Sequence, residues 1–244
     1  GKIFLQYAEA LPGCTAAIDF LVETRLIRLD TLQKFRVGVS IHTFEKRQLT
    51  SITFPWFSKD NDLPTRIKVR AIENKRYMRL EPAGVARGFF GWPTVKVDSE
   101  TVVLTEGELD ALTVYQETGL PAISLPNGAK SLPPELLEQL EQFKTIYIWC
   151  DDDVPGRDGS EMCMKKLGRH RCLVVKCRNG GSEGPKDAND VLKARVALDA
   201  KHLQEIEALN SKSNTESESI GRGAVMEEVG EDGREGDGVE KEDP

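Results

Sequence analysis

The sequence predicts an α/β protein in which a central, mostly parallel four-stranded sheet is flanked by helices and preceded by a smaller, basic α+β region. After residue 100, short apolar segments rich in β-branched residues alternate with segments of helical spacing, which is typical of parallel strands joined by helices. Between residues 37 and 97 short extended segments replace that alternation. Because no apolar run approaches the length of a membrane span, we expect none.

Residues 1–98 are expected to form the basic α+β subdomain. Residues 16–26 carry apolar side chains at helical spacing, and Asp30 is a candidate cap for a second helix that runs to Phe35. Residues 49–57 and 66–70 have the pattern of strands, and the second alternates strictly between basic and apolar residues. This alternation places three basic side chains on one face of the strand, namely Arg66, Lys68 and Arg70.

This basic face has two interpretations. Seven Lys and Arg lie between residues 66 and 87, against only two acids, and such a stripe can contact a phosphate backbone. A solvated strand face is the ordinary alternative, since soluble proteins commonly carry charged surfaces. Most of the large aromatic residues nearby are expected to pack in the core rather than stack on bases; they are Trp56, Phe89, Phe90 and Trp92.

Residues 99–208 are expected to form the second domain, built from four strand-and-helix units. The strands are predicted at residues 102–105, 122–125, 145–149 and 172–176. Helices are predicted at residues 109–117, from Pro133 and Pro134 onward, at residues 157–167, and from about residue 190 to 195. Gly119 is expected to end the first of these helices.

Acidic residues follow two of the predicted strands. Asp151, Asp152 and Asp153 follow the third strand, and Glu106 follows the first, so parallel pairing would bring them to one edge of the sheet. Side chains two apart on an extended chain point the same way, so we expect Asp151 and Asp153 to converge. Two such carboxylates would repel each other unless a cation lay between them, and Mg²⁺ suits oxygen ligands. Alternatively, the acidic run is a solvated loop or the start of a helix, where Asp is also favoured.

The cysteines, the histidines and the distribution of charge give further expectations about the protein. The five cysteines include no C-x-x-C pair and the three histidines are scattered, so we expect no zinc site and a reducing compartment. Between residues 211 and 244 there are eleven Asp or Glu against four Lys or Arg, which accounts for the whole net charge of −7. Residues 209–244 have few large apolar side chains and are predicted to be a disordered acidic tail.

Several separate motifs resemble the TOPRIM fold of DNA primases. These are T-E-G-E-L-D-A-L at residues 105–112, D-D-D-V-P-G-R-D-G-S-E at 151–161 and P-K-D-A-N-D at 185–190. A narrower resemblance is to the Twinkle family of mitochondrial replicative helicases and the related phage-type primase-helicases. It rests on I-T-F-P-W-F at residues 52–57, T-G-L-P-A-I-S-L-P-N-G at 118–128 and L-P-P-E-L-L-E-Q-L-E-Q-F at 132–143.

The resemblance implies a set of roles. Glu106 would be a general base or a metal ligand, and Asp151, Asp153 and Asp187 would hold Mg²⁺ or Mn²⁺ in primer synthesis. Single-stranded DNA and nucleoside triphosphates would be the partners, in the nucleoid of the mitochondrial matrix. Nucleotide or nucleic-acid phosphates would be bound by Arg66, Lys68, Arg70, Arg157 and Lys186.

The departures from the family pattern leave the activity open. The sequence contains neither the cysteine-rich zinc module of phage-type primases nor a G-x-x-x-x-G-K-[ST] motif of an ATPase motor. We therefore expect a fragment that does not unwind DNA by itself, and self-association into rings only through the missing motor. The two alternatives to a primase are a non-catalytic module that binds single-stranded DNA and, less favoured, a TOPRIM nuclease.

Overall fold

The computed structural model describes residues 3–177 and 184–193, which belong to one compact unit. The tail predicted for residues 209–244 lies outside the described residues. The described α-helices are α1 (Ile3–Ala10), α2 (Thr15–Ile18), α3 (Leu29–Lys34), α4 (Glu108–Thr118), α5 (Val154–Leu167) and α6 (Ala188–Lys193), and a π-helix, Asp19–Thr24, follows α2. The described strands are β1 (Gly38–Phe44), β2 (Arg47–Phe57), β3 (Arg66–Ala71), β4 (Met78–Glu81), β5 (Phe89–Phe90), β6 (Thr101–Thr105), β7 (Ala122–Ser124), β8 (Thr145–Trp149) and β9 (Cys172–Val174).

One sheet contains all of these strands, and it has an antiparallel half and a parallel half. Strands β1 to β5 pair antiparallel with one another, whereas β6 to β9 pair in parallel in the order β7-β6-β8-β9. The halves meet where β5 pairs antiparallel with β7, with Phe90 opposite Ser124. The parallel four-stranded sheet confirms the predicted fold class. The domain division at residue 98 stays a prediction, and the sheet continues across it.

The antiparallel half shows the predicted alternation on β3. The apolar residues Ile67, Val69 and Ala71 are buried. The basic residues that alternate with them, Arg66, Lys68 and Arg70, are only half-buried. Strand β3 pairs with β2 on one side and β4 on the other, so these basic side chains stand on a face of the sheet. A strand that alternates in this way keeps its charges beside the core without burying them completely.

Aromatic residues connect the two halves of the sheet. The ring of Phe90 lies 5.2 Å from that of Phe35 and 5.3 Å from that of Phe54, between centroids. Phe35 also contacts Tyr115 of α4, with 5.4 Å between ring centroids. The four aromatic residues considered for base stacking, Trp56, Phe89, Phe90 and Trp92, are all buried, which confirms their assignment to the core.

The parallel half is positioned by buried strands and by one left-handed glycine. In both β6 and β8 every residue after the first is buried, which explains their consecutive apolar residues. Helix α4 ends where predicted, because Gly119 adopts a φ of 71°, a conformation that glycine reaches without steric cost.

Two local predictions are wrong. The helix expected from Pro133 is instead a pair of short 3₁₀ turns, Pro134–Leu136 and Glu138–Leu140, whose last leucines are both buried. The apolar spacing there reflects two buried turns rather than a continuous helix. Helix α3 begins at Leu29, so Asp30 lies in its first turn rather than at its cap, and its carboxylate accepts the amide of Thr31 at 2.7 Å.

Candidate metal centre

The predicted acids meet at the carboxyl edge of the parallel strands. Strands β6 and β8 pair in register with Thr105 opposite Trp149, so Glu106 and Asp151 follow their strands side by side. The backbone amide of Asp151 donates to Oε2 of Glu106 at 3.3 Å. The edge predicted from strand order is therefore the edge at which these two residues lie.

Three carboxylates converge at this edge: Asp110, Asp151 and Asp187. One oxygen from each lies within 4.8 Å of the others. They come from three segments, since Asp110 lies in the first turn of α4, Asp151 follows β8 and Asp187 directly precedes α6. Among the described residues this is the one group of acids, cysteines or histidines arranged closely enough to hold a metal ion.

The acids of this cluster are held in unfavourable surroundings for negative charge. Burial, followed by repulsion from Glu106, Asp187 and Asp153, raises the pKa of Asp151 from 3.8 to about 7. Burial and then the charge of Asp187 raise the pKa of Asp110, which is 8% exposed. Burial also raises the pKa of Asp187. Buried like charges of this kind are stabilised by a cation placed between them.

A divalent ion fits these donors. No lysine or arginine forms an ion pair with any of the three aspartates within the part of the chain that the structure describes. Carboxylate oxygens are the ligands that hard divalent cations prefer. Burial raises the pKa of Cys150 and Cys163 to about 12 and so disfavours the thiolate, the form of cysteine that binds metals.

Backbone amides orient two of the three acids, Asp110 and Asp187. The amide of Asn189 donates to Oδ1 of Asp110 at 3.1 Å, and the amide of Asp190 donates to Oδ1 of Asp187 at 2.6 Å. Gly107 leaves space for the side chain of Asp110, because a Cβ at Gly107 would come within 2.8 Å of Oδ2 of Asp110. The amide of Asp152 donates to the carbonyl of Lys186 at 2.7 Å and ties the loop after β8 to the segment before α6.

The structure does not bring Asp153 into this cluster. Its Oδ1 accepts the amide of Gly156 at 2.8 Å, so the side chain caps α5, and the residue is exposed. Strand β8 ends at Trp149, and the rule that residues two apart share a face does not extend into the turn that follows. Asp153 adds to the repulsion on Asp151, and its role as a metal ligand stays a prediction.

The cluster includes a residue that the sequence analysis missed, Asp110. A signal for it is present, because Asp110 lies four residues after Glu106 in T-E-G-E-L-D, at the start of a predicted helix. Because α4 starts directly after β6, its first turn stays at the same edge of the sheet as Glu106. Acids are common in the first turn of a helix, and the burial of Asp110 appears only in the tertiary structure.

The basic residues of β3 have separate partners. Nζ of Lys68 lies 2.8 Å from Oε1 of Glu108, and both side chains are largely buried, so this ion pair joins β3 to the start of α4. Arg66 donates to the carbonyl of Thr65 at 2.8 Å. Arg70 stacks on Phe20, with the centre of its guanidinium 5.9 Å from the ring centroid.

Arg70 and Arg25 form a basic flank beside the acids. Burial and the like charge of Arg25 lower the pKa of Arg70. Arg25 also stacks on Phe20, at 5.3 Å from the ring centroid, and its charge offsets a small part of the burial that raises the pKa of Asp187. The Nε atoms of both arginines are buried without a hydrogen-bond partner, and neither forms an ion pair with a described carboxylate. This basic flank is Arg25 and Arg70 with Phe20 between them.

The other two predicted basic residues lie at the start of α5 and before α6. Arg157 donates to Oδ1 of Asp152 at 3.3 Å, and Lys186 is exposed. The assignment of all five predicted basic residues to phosphate binding stays a prediction. Within the described residues, no helix is both long and apolar enough to cross a membrane.

The chain is similar in sequence to several known proteins. Residues 103–192 match the Toprim-like family. The chain is 27% identical over 212 residues to the Twinkle homolog protein, chloroplastic/mitochondrial, of Arabidopsis thaliana, which covers 80% of this chain and 28% of that protein. It is 35% identical over 96 residues to the DNA helicase/primase of Enterobacteria phage T3, which covers 36% of this chain and 16% of the phage protein. The chain therefore spans well under two thirds of the length of either relative.

A solved structure shares the fold. It contains bacteriophage T7 lagging-strand DNA polymerase interacting with primase domains of two gp4 subunits bound to an RNA/DNA hybrid and dTTP. The TM-score is 0.59 with 23% sequence identity, and the alignment covers 75% of this chain and 88% of that chain. A likeness at this level of identity concerns the arrangement of helices and strands.

Proposed function

Since the chain is a primase-like Toprim region related to Twinkle and to phage helicase-primases, we propose that it carries a Mg²⁺-dependent nucleotidyl-transfer site for primer synthesis on single-stranded DNA. The observation that supports this most directly is the convergence of Asp110, Asp151 and Asp187 beside the basic flank. Acids without a cation and arginines without an anion, side by side, suit a metal ion together with a polyphosphate.

The three aspartates would hold the metal ion. Their donor set consists only of oxygen atoms, which favours Mg²⁺ or Mn²⁺ over zinc, whose usual protein ligands include sulfur and nitrogen. When bound, such an ion lowers the pKa of an attacking 3′-hydroxyl and offsets the charge of the diphosphate that leaves. Burial of the carboxylates excludes water from part of this edge and strengthens the electrostatic interactions there.

Glu106 would act next to the metal ion. One of its carboxylate oxygens accepts the amide of Asp151, which holds the side chain at the edge of the sheet. The second oxygen is then available to bind the ion or to accept the proton of the attacking hydroxyl. Both roles depend on the negative charge of Glu106. Replacing this residue by Gln removes the charge and keeps the shape of the side chain.

The basic flank would bind the triphosphate. Guanidinium groups bind phosphate oxygens through paired hydrogen bonds, and neither Arg25 nor Arg70 forms an ion pair with a described carboxylate. Phe20 between them limits their movement. The path of the template would gain positive charge from Arg66, Lys68, Arg157 and Lys186. Lys68 would act mainly through its ion pair with Glu108, which joins β3 to the start of α4.

The wider setting follows from the relatives. We place the protein in an organelle, the mitochondrion, because the Arabidopsis relative is named chloroplastic/mitochondrial. Single-stranded DNA and nucleoside triphosphates are the proposed partners, since the T7 structure contains primase domains with an RNA/DNA hybrid and dTTP. Unwinding and ring assembly would require a motor domain, whose sequence motif this chain lacks.

Ribonucleotide incorporation on a single-stranded DNA template, with Mg²⁺ or Mn²⁺, tests the proposal. The unaltered chain is expected to make short products, and the Glu106→Gln variant is expected to make none. Glu135→Gln, an exposed residue away from the acidic edge, is the matched control and should leave synthesis unchanged. Products of equal yield from the unaltered chain and Glu106→Gln would exclude this site as their source.

A second candidate is a module that binds single-stranded DNA without turnover. The capping role of Asp153 favours it, since one predicted ligand is directed to the helix rather than to the cluster. Under this alternative, Asp151→Asn combined with Asp153→Asn leaves DNA affinity intact or raises it. DNA binding without primer synthesis in the unaltered chain would establish the binding module.

A further inference from the structure

Asn189 joins the metal centre to the basic flank. It is the second residue of α6 and is 1% exposed. Its side-chain Nδ2 donates to the carbonyl of Arg25 at 2.9 Å and to the hydroxyl of Thr113 at 3.0 Å. Its Oδ1 accepts Nη1 of Arg25 at 3.3 Å. Three elements, the segment after α2, helix α4 and helix α6, therefore meet at one buried amide.

The orientation of this amide is determined by its partners. The Thr113 hydroxyl donates to the carbonyl of Leu109 at 2.8 Å, so it can only accept from Asn189. The carbonyl of Arg25 is likewise an acceptor. A flipped amide would direct its oxygen at both of these acceptors and leave buried groups unpaired, which is costly. Asn189 thus presents its oxygen to the Arg25 guanidinium.

The two parts of Asn189 serve different groups. The backbone amide holds Asp110, a member of the metal centre, whereas the side chain holds Arg25. Replacing the side chain therefore leaves the contact to Asp110 in place. This division makes the two functions separable by mutation.

The Arg25 segment needs such support. Leu26, which follows it, has a φ of 60°, a conformation that is uncommon for residues other than glycine. Two side chains contact the carbonyls of this turn, since Nδ2 of Asn189 donates to the carbonyl of Arg25 and Nε2 of Gln116 donates to the carbonyl of Leu26 at 2.9 Å. Beyond the amide of Asn189 and the ring of Phe20, no described partner orients the Arg25 guanidinium.

We propose that Asn189 is a positioning residue whose side chain aims the Arg25 guanidinium at the phosphates of a nucleotide bound beside the metal centre. The inference rests on the proposed function, which assigns phosphate binding to Arg25. Asn189 itself contacts neither metal nor phosphate. A residue that acts only through Arg25 becomes irrelevant once Arg25 is removed.

A double-mutant cycle tests this role through binding rather than turnover. The variants are Arg25→Ala, Asn189→Ala and the two combined, and the probe is inorganic tripolyphosphate with Mg²⁺, measured by calorimetry. Each single change should weaken binding roughly tenfold, since hydrogen bonds to charged groups contribute on that scale. The combined variant should bind no more weakly than Arg25→Ala alone.

The affinity for Mn²⁺ without phosphate distinguishes positioning from general damage. Asn189→Ala should change it by less than about twofold, because the backbone contact to Asp110 remains. Thr94→Val is the matched control, since it removes buried hydrogen bonds of Thr94 near the start of β7, at the opposite edge of the parallel strands. It should leave both affinities unchanged. If Asn189→Ala does not fold, Asn189→Ser, which is too short to reach Arg25, replaces it.

Three results would overturn the inference: additive losses in the cycle, a parallel loss of Mn²⁺ and tripolyphosphate affinity in the Asn189 variant, or no tripolyphosphate binding by the unaltered chain. A chain that binds tripolyphosphate with the expected cycle but makes no primers would contradict the proposed function alone. The two ideas can therefore fail separately.

Discussion

The two halves of the sheet differ in whether their charged side chains are paired. In the antiparallel half, several basic residues of the strands have acidic partners, such as Lys68 with Glu108 of α4 and Arg79 with Glu81, although Arg70 has none among the described residues. In the parallel half, carboxylates gather where strands and helices begin and end, and the three aspartates of the cluster have no cationic partner among the described residues. Paired charges connect elements, whereas buried charges of one sign require something from outside the chain. The difference separates structural charge from a candidate site.

The largest effect is expected from breaking the junction between the halves. Phe90→Ala removes a fully buried ring that contacts Phe35 and Phe54, and should lower the free energy of unfolding by about 3–5 kcal/mol. Denaturant titration measures it. Phe44→Ala, which removes a partly buried ring in β1, should cost clearly less. Equal losses would mean that the junction is not a special point of the fold.

The buried ion pair gives the next largest effect. Lys68→Met leaves Glu108 buried without its partner and should destabilise the fold by about 3 kcal/mol. Arg47→Met breaks an exposed pair with Glu73 and should cost much less, because solvent screens an exposed pair. Adding Glu108→Leu to Lys68→Met should restore most of the lost stability, because the uncompensated charge is removed. Failure to restore it would assign the loss to packing rather than to charge.

The acids of the parallel half can be separated by function. Asp110→Asn should weaken Mn²⁺ binding by roughly a hundredfold, about 2.7 kcal/mol, because it removes one of three charged ligands. Asp153→Asn should change it by less than about threefold, since Asn replaces Asp well as a helix cap. Calorimetry on both variants measures the contrast. A larger loss in Asp153→Asn than in Asp110→Asn would restore Asp153 as a principal ligand.

The smallest expected effect is a dependence on pH of the rise in Tm that Mg²⁺ causes. The raised pKa of Asp151, about 7, means that without metal the folded state binds its proton more tightly than the unfolded chain. Its stabilising effect is complete below pH 3.8 and is lost as the pH rises through about 7. Mg²⁺ binds the deprotonated form, so saturating Mg²⁺ should raise Tm by about 2–4 °C more at pH 8 than at pH 5.5.

Thermal unfolding with and without Mg²⁺ measures this difference. The Asp151→Asn variant is the control and should show a smaller dependence on pH, because the amide does not titrate. An Mg²⁺ effect that is larger at pH 5.5 than at pH 8 would contradict a carboxylate metal centre.

The sequence by itself determined the class of the fold and the edge that carries the site. Consecutive apolar residues followed by acids predict buried parallel strands with ligands at their carboxyl ends, and Glu106 and Asp151 lie at this edge. Asp187 is implied by the family resemblance rather than by this pattern. These signals are local, because a strand and the residue that follows it are adjacent in the chain.

The tertiary structure alone decided which side chains complete the site. Asp153 became a helix cap because the chain turns after Trp149, and Asp110 entered the cluster because α4 starts directly after β6, the strand that pairs with β8. Asn189 and Arg25 are 164 residues apart in sequence, and no periodicity connects them. Whether a charged or polar group is buried, paired or left unpaired depends on what packs against it, and distant segments supply those contacts only when the sheet has closed.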